Sequence, residues 1–263
     1  MSYICKTGKG EEADPSLAIF PILKEVDGKR LVVGSAFFIT NTGIFVTAKH
    51  VIKDVFDERG KQKYPIFGLQ ILPDDKYIIR PVLSCYSNTK SDVVVGALEQ
   101  QRHKITGEPR SNKLLVLTLI EPKQGARIVT YAYPGSKTEI EGNVQTLTLK
   151  PEYYDGVLED YLPEGRDKSM LPFPCYRGSI RIIGGASGGP VMDEQGRVFG
   201  INCTGFEGTN ISFFARINEI LALRVDDLVI NGVHRDSIDI IELAERKVII
   251  FEPSFKRSQI IKK

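Results

Sequence analysis

Gly184-Gly185-Ala186-Ser187-Gly188-Gly189-Pro190-Val191 is the stretch of sequence on which the interpretation of the whole chain depends. Glycines on both sides of Ser187 let the backbone turn tightly and come close to a bound carbonyl group. The amides of Gly185 and Ser187 can then point at one spot, which would form an oxyanion hole. A Gly/Ser-rich turn between two strands is the other interpretation of the same residues. The remaining sequence decides between them.

A histidine and a carboxylate precede this serine at the ends of apolar segments. Two runs rich in β-branched and aromatic residues, 36–40 and 44–47, flank an Asn-Thr-Gly turn and predict a hairpin that leads to His50. Asp92 opens a continuous apolar run. A serine hydroxyl needs a neighbouring base at neutral pH, and a carboxylate can hold the tautomer of that base. His50, Asp92 and Ser187 therefore predict a catalytic triad.

The three segments resemble the trypsin-like, chymotrypsin-fold serine peptidases, especially their bacterial intracellular and HtrA-like members. In that family the histidine ends Thr-Ala-x-His, the aspartate opens an Asp-hydrophobic segment and the serine lies in Gly-x-Ser-Gly-Gly-Pro. This chain has all three segments in that order, and the resemblance covers most of residues 15 to 225. It implies a serine endopeptidase that forms an acyl-enzyme on Ser187, with no metal and no cofactor.

A second enzyme family has a similar serine motif. Residues 185–189 also fit the Gly-x-Ser-x-Gly nucleophile elbow of α/β-hydrolases, and Asp226 or Asp227 with His234 would supply the acid and histidine in the required order. However, an elbow turns from a strand into a helix, whereas glycines, a proline and a hairpin pattern follow the serine here. This context favours the peptidase interpretation.

Composition and strand spacing predict an all-β chain. The 263 residues include 24 glycines and 14 prolines between short apolar runs. The resemblance implies two six-stranded antiparallel β-barrels, with the active site in the cleft between them. Two units are expected: a peptidase domain at 1–225 and a helical C-terminal extension at 226–263 that packs on the domain. Within the peptidase domain we expect an N-terminal barrel at about 15–100, a linker at about 101–113, a C-terminal barrel at about 114–217 and a closing helix from 218.

Two local structures are also expected. Residues 218–228 are predicted to form the closing helix, with a second helix over 239–244. Residues 153–174 are acidic, aromatic and without clear periodicity, which predicts an irregular surface segment. That segment either covers the substrate cleft or is a plain surface loop.

The resemblance also places a specificity pocket. Arg181 lies six residues before Ser187 and would fall near the base of the pocket. The walls would be Cys203, Thr204, Gly205 and Ser212. A cation at the base would disfavour Lys or Arg in the substrate. Alternatively Arg181 points to solvent or pairs with a nearby acid.

Composition limits the other functions. With 35 basic and 33 acidic side chains the net charge is +2, which gives no indication of a nucleic-acid partner. The apolar runs are too short to span a bilayer, and the start of the chain lacks a signal-peptide core. The cysteines match no metal motif and no secreted disulfide scaffold; they are Cys5, Cys85, Cys175 and Cys203. We therefore expect a cytoplasmic protein that acts on a peptide or protein and binds no membrane.

Ala186 replaces the aspartate that precedes the serine in digestive members of the family, so no trypsin-style zymogen ion pair is expected. Regulation would then come from loop ordering or a protein partner. The alternative to an enzyme is a non-catalytic module that holds a peptide or a partner on the peptidase fold. The complete triad favours the enzyme.

Overall fold

Two closed, six-stranded antiparallel β-barrels form the body of the protein. The structure is a computed structural model, and it describes residues 6, 14–57, 61–72, 76–103, 105–142, 144–230 and 233–260. The predicted fold class is confirmed. Each barrel encloses apolar side chains contributed by alternate residues of its strands.

The first barrel is filled by aromatic side chains. Its strands are β1 (Ile19–Val26), β2 (Lys29–Phe38), β3 (Ile44–Ala48), β4 (Ile66–Ile71), β5 (Tyr77–Ser87) and β6 (Val93–Leu98), in the order β1-β2-β3-β6-β5-β4. The ring of Phe20 lies 4.5 Å from that of Phe38 and 5.6 Å from that of Phe45. Gly96 lies opposite Phe45, where an added Cβ would come within 2.3 Å of the ring. A side chain at this position would therefore disrupt the packing of β3 on β6.

The second barrel carries the serine motif between two of its strands. Its strands are β7 (Arg127–Ala132), β10 (Glu152–Leu162), β11 (Cys175–Gly178), β12 (Pro190–Met192), β13 (Val198–Gly205) and β14 (Ser212–Arg216), in the order β10-β11-β14-β13-β12-β7. Two further strands, β8 (Lys137–Glu141) and β9 (Val144–Thr148), form a separate hairpin.

The irregular segment expected over 153–174 is wrong in its first half, because β10 occupies it. The acidic residues of β10 pair with arginines on the neighbouring strands: Asp155 with Arg127 at 3.1 Å and Glu159 with Arg177 at 3.0 Å. Such cross-strand pairs let acidic residues occupy the outer face of a sheet.

The closing helix expected over 218–228 is wrong in its second half, which forms a strand. A 3-10 turn spans Ile217–Ala222, and β15 (Arg224–Ile230) then pairs with β16 (Val233–Asp239). β-Branched residues recur in β15, and the sequence Asn-Gly between the two strands is typical of a two-residue hairpin connection. The second predicted helix corresponds to α2 (Ile240–Glu245), whose N-cap Asp239 accepts a hydrogen bond from the Glu242 amide at 2.7 Å.

Segments outside the barrels pack against the second barrel beside the start of β13. Residues 114–119 form isolated bridges and no continuous strand; in these bridges Leu117 pairs with Phe251 and with Val198. Lys6 forms an ion pair with Glu252. The C-terminal part of the chain therefore packs beside the segment that links the barrels. In the described part of the chain, no helix has the length and apolar character needed to cross a membrane.

Candidate active site

His50 and Asp92 are brought together by the pairing of β3 with β6. His50 lies in the short helix α1 (Lys49–Ile52) directly after β3, and Asp92 directly precedes β6. His50 Nδ1 lies 2.6 Å from Asp92 Oδ2, and the His50 amide donates to Asp92 Oδ1 at 3.0 Å. The carboxylate thus accepts from both the ring and the backbone of one histidine. A proton on Nδ1 satisfies this hydrogen bond and leaves Nε2 as the basic nitrogen.

Ser187 lies in a tight loop that only glycines permit. Gly185 has φ +95° and Gly188 has φ +84°. A Cβ on Gly188 would lie 2.2 Å from the carbonyl oxygen of Ser35 and from the hydroxyl of Thr47. Both positions therefore need the conformational freedom and the small size of glycine.

The amides of Gly185 and Ser187 are the candidate oxyanion donors of this loop. Ala186 N–H donates to the Ile183 carbonyl at 3.1 Å, which closes a turn around Gly185. Within the described residues, the N–H groups of Gly185 and Ser187 donate to no acceptor. Two unpaired amides in one tight loop can both donate to an oxyanion.

The hydroxyl of Ser187 donates to a backbone carbonyl. Ser187 Oγ lies 3.0 Å from the carbonyl oxygen of Cys203 on β13. No hydrogen bond joins the side chains of Ser187 and His50 among the residues that the structure describes. Transfer of the Ser187 proton to His50 therefore requires the serine side chain to turn away from Cys203.

A cleft of about 510 Å³ contains the predicted triad. Six of the predicted site residues line it: His50, Asp92, Ser187, Cys203, Thr204 and Gly205. Four of the other lining residues have apolar side chains: Met170, Leu171, Ile182 and Ile183. Gly184 and Glu207 also line the cleft. The cleft therefore combines a potential nucleophile with an apolar surface, as ligand sites commonly do.

Arg181 and Ser212 do not line this cleft. Burial alternates after β11, so that the side chain of Ile182 is buried while that of Arg181 is exposed. Because alternate residues of an extended segment face opposite sides, the cation expected at the pocket base is directed to solvent. Ser212 is buried, and its hydroxyl donates to the Gly178 carbonyl at 3.1 Å.

The acid and histidine of the alternative elbow motif form a pair away from Ser187. His234 Nε2 lies 2.5 Å from Asp227 Oδ1 on the exposed hairpin of β15 and β16. This hydrogen bond raises the pKa of His234 above its usual value. Neither residue lines the cleft that contains Ser187, and the all-β fold lacks the strand-to-helix elbow.

Sequence reasoning missed two buried polar residues beneath the serine loop. Ser35 is fully buried and bonds to the loop from the first barrel. Asn202 is also fully buried; its side-chain Nδ2 donates to Thr130 Oγ1 at 2.6 Å, and its backbone carbonyl accepts from Gly188 N–H at 2.8 Å. A polar residue inside an apolar strand was the available signal for Asn202, because buried polar groups need partners.

Comparison with known proteins agrees with this geometry. A sequence model of the trypsin-like peptidase domain matches residues 34–201. The crystal structure of Deg5 has a TM-score of 0.55 at 20% identity, over 77% of this chain and 85% of that chain. The active form of the Rv3671c protease from M. tuberculosis has a TM-score of 0.53 at 19% identity, over 78% of both chains. These structural likenesses show the fold.

No curated protein matches the chain. The sequence model nevertheless covers more than half of the chain and includes His50, Asp92 and Ser187. The chain therefore belongs to the trypsin-like peptidase domain family.

Proposed function

We propose that the protein is a serine endopeptidase that uses His50, Asp92 and Ser187 to hydrolyse peptide bonds. The observation that carries the proposal is the bond between His50 Nδ1 and Asp92 Oδ2 at 2.6 Å, in the same cleft as Ser187. A histidine oriented in this way can act as a general base toward a serine hydroxyl.

Acylation follows from these positions. Ser187 Oγ attacks the carbonyl carbon of the substrate and transfers its proton to His50 Nε2, while the carbonyl electron pair moves to oxygen. The N–H groups of Gly185 and Ser187 stabilise that oxyanion, and Asp92 stabilises the imidazolium. The intermediate then collapses, the C–N bond breaks, and His50 returns the proton to the leaving amine.

Deacylation repeats the same proton transfers with water. A water molecule attacks the acyl carbon and gives its proton to His50, and a second oxyanion forms. The bond from carbon to Ser187 Oγ breaks, the carboxylic acid leaves, and Ser187 recovers its proton from His50. The resting protein is restored without a metal or a cofactor.

A second candidate function is a non-catalytic or partner-activated module that binds peptides on the same fold. One observation favours it: Ser187 Oγ donates to the Cys203 carbonyl, and its bond to His50 is not made. In that case a regulatory protein partner or a ligand would shift the population toward the conformation with the serine–histidine bond.

Labelling with a fluorophosphonate tests the proposal without a known substrate. We expect one adduct per chain, located on Ser187 by peptide mass spectrometry, because an activated hydroxyl attacks the phosphorus. Ser187→Ala should give no adduct, and the matched control Ser84→Ala on β5 should label like the unchanged protein. Absence of an adduct on the unchanged protein would favour the binding module.

The proposed setting is the bacterial cytoplasm, with a peptide or protein as substrate and with no nucleic-acid or membrane partner. The support is that Cys85, Cys175 and Cys203 are free thiols, as is usual in a reducing compartment. Fractionation of the native cells would test the location.

A further inference from the structure

We infer that Ser35 and the turn Tyr133–Gly135 are positioning elements for the nucleophile loop, which we define as residues 183–189. They would hold the loop in the conformation that leaves the amides of Gly185 and Ser187 free for a substrate oxyanion. This inference rests on the proposed function. Its evidence is the set of partners that the loop carbonyls have.

The Gly184 carbonyl is bound by the turn. It accepts a hydrogen bond from Gly135 N–H at 2.9 Å. In a trans peptide the C=O and N–H groups point in opposite directions, so this bond directs Gly185 N–H away from the turn. Reversal of that peptide would break the bond to Gly135 and turn the Gly185 amide away from its present direction.

Close packing of the loop on the turn adds to this restraint. A Cβ on Gly185 would lie 2.6 Å from the Tyr133 carbonyl oxygen and 3.3 Å from Pro134 Cα. The two backbones are thus in direct contact, with no side chain between them. A substitution at Gly185 would separate the loop from the turn, besides being strained at its positive φ.

Ser35 joins the loop and the turn from the first barrel. Its hydroxyl donates to the Gly185 carbonyl at 2.7 Å and accepts from Tyr133 N–H at 3.0 Å. Its backbone N–H donates to the Ser187 carbonyl at 2.8 Å. One fully buried residue therefore fixes two carbonyls of the loop and one amide of the turn.

The remaining carbonyl of the loop centre is also bound. The Ala186 carbonyl accepts from Gly189 N–H at 3.1 Å. Every carbonyl from Gly184 to Ser187 therefore has a donor, whereas the amides of Gly185 and Ser187, which the mechanism uses, have no acceptor among the described residues. Loss of the Ser35 hydroxyl would free the Gly185 carbonyl and allow the adjacent peptides to rotate.

The test measures how fast a fluorophosphonate labels Ser187 over a range of probe concentrations. We expect Ser35→Ala to lower the maximal labelling rate by about ten-fold or more, because a Gly185 amide that points elsewhere no longer stabilises the oxyanion. The probe concentration at half-maximal rate should stay unchanged, since the cleft walls are not altered. Ser35→Cys retains a weak donor, so its maximal labelling rate should lie between those of the unchanged protein and Ser35→Ala. It also replaces Ser35→Ala in the test if that variant does not fold.

Thr118→Val is the matched control. Thr118 is equally buried, its hydroxyl accepts from Ile120 N–H at 3.1 Å, and it does not line the cleft. We expect this variant to label at the rate of the unchanged protein. Equal labelling of the Ser35 variants and the unchanged protein would overturn the inference and leave the proposed function intact. Equal slowing in Ser35→Ala and Thr118→Val would also overturn it. An unchanged protein that does not label would instead overturn the proposed function, and the inference with it.

Discussion

At the scale of single residues, Asp92 serves His50 in two ways. One carboxylate oxygen binds the ring nitrogen at 2.6 Å, and the other binds the backbone amide at 3.0 Å. Any movement of the carboxylate therefore changes both the tautomer and the position of the histidine. This makes Asp92 the residue whose replacement tests the mechanism without changing shape.

Asp92→Asn should lower turnover by about 10⁴-fold, because an amide in place of the carboxylate favours the wrong tautomer of His50. The measurement is the rate of Ser187 labelling or of peptide hydrolysis near neutral pH. Asp54→Asn is the control, since Asp54 pairs with Lys24 away from the cleft and should have no effect. A normal rate in Asp92→Asn would mean that another group orients His50.

The three proposed catalytic residues could be identified in the sequence because each lies in a short motif with a chemical reason for its residue type. The direction of Arg181 could not be. Its distance from Ser187 in sequence was known, but the side to which it points depends on the register of the segment after β11. Burial of Ile180 and Ile182 decides that register, and it leaves Arg181 in solvent.

At the scale of elements, the segment between β10 and β11 forms one wall of the cleft. Asp167 accepts from the Met170 amide at 2.6 Å, from the Arg166 guanidinium and from the Ser169 amide at 2.9 Å, and these bonds hold the pKa of its carboxyl below the usual range. The Arg166 guanidinium lies 5.4 Å from the centre of the Phe206 ring. The segment is therefore fixed locally while Met170 remains 64% exposed.

This wall predicts cleavage after apolar residues. Met170→Glu should lower kcat/KM for such substrates by about ten-fold, because it puts a charge on an apolar surface. Digestion of a peptide library with readout by mass spectrometry gives the preference. Leu83→Glu is the control, since Leu83 is 66% exposed on β5 and outside the cleft. Predominant cleavage after charged residues would contradict the prediction.

The prediction of an irregular segment failed at β10, because the acidic residues of this strand are typical of a surface loop. The acidic residues of β10 indicated a surface loop, but arginines on β7 and β11 pair with them, and those partners are distant in sequence. The closing helix failed for a different reason: Val225 is fully buried and pairs with Ile238, so strand pairing outweighed a helical pattern.

At the scale of the whole molecule, the three described thiols, those of Cys85, Cys175 and Cys203, lie on strands of the barrels. Burial raises the pKa of Cys85 to about 12 and that of Cys175 to about 11, and it also raises the pKa of Cys203. We expect all three to react with iodoacetamide at pH 8 at least about a hundred-fold more slowly in the folded protein than in denaturant, because the thiolate is the reactive form. Mass spectrometry of alkylated peptides measures this, with the unfolded protein as control. Rapid labelling of Cys203 would show that its strand opens easily.

The division into two barrels was predictable from strand spacing and from the family resemblance. The contacts between the two barrels could not be predicted, because they include single hydrogen bonds such as that of Ser35. A serine after glycine in a strand carries no sequence signal for a partner in the other barrel. The same is true of Arg80, whose buried guanidinium binds Asn112 of the linker at 2.9 Å.

The bond between Ser35 and the Gly185 carbonyl joins residues 150 positions apart. A ribosome that makes this chain synthesises Ser35, His50 and Asp92 long before it reaches the serine loop. During that interval the first barrel has a base and an acid without a nucleophile, and the buried hydroxyl of Ser35 has no loop to hold. The order of synthesis therefore delays the assembly of the cleft until most of the second barrel has been made.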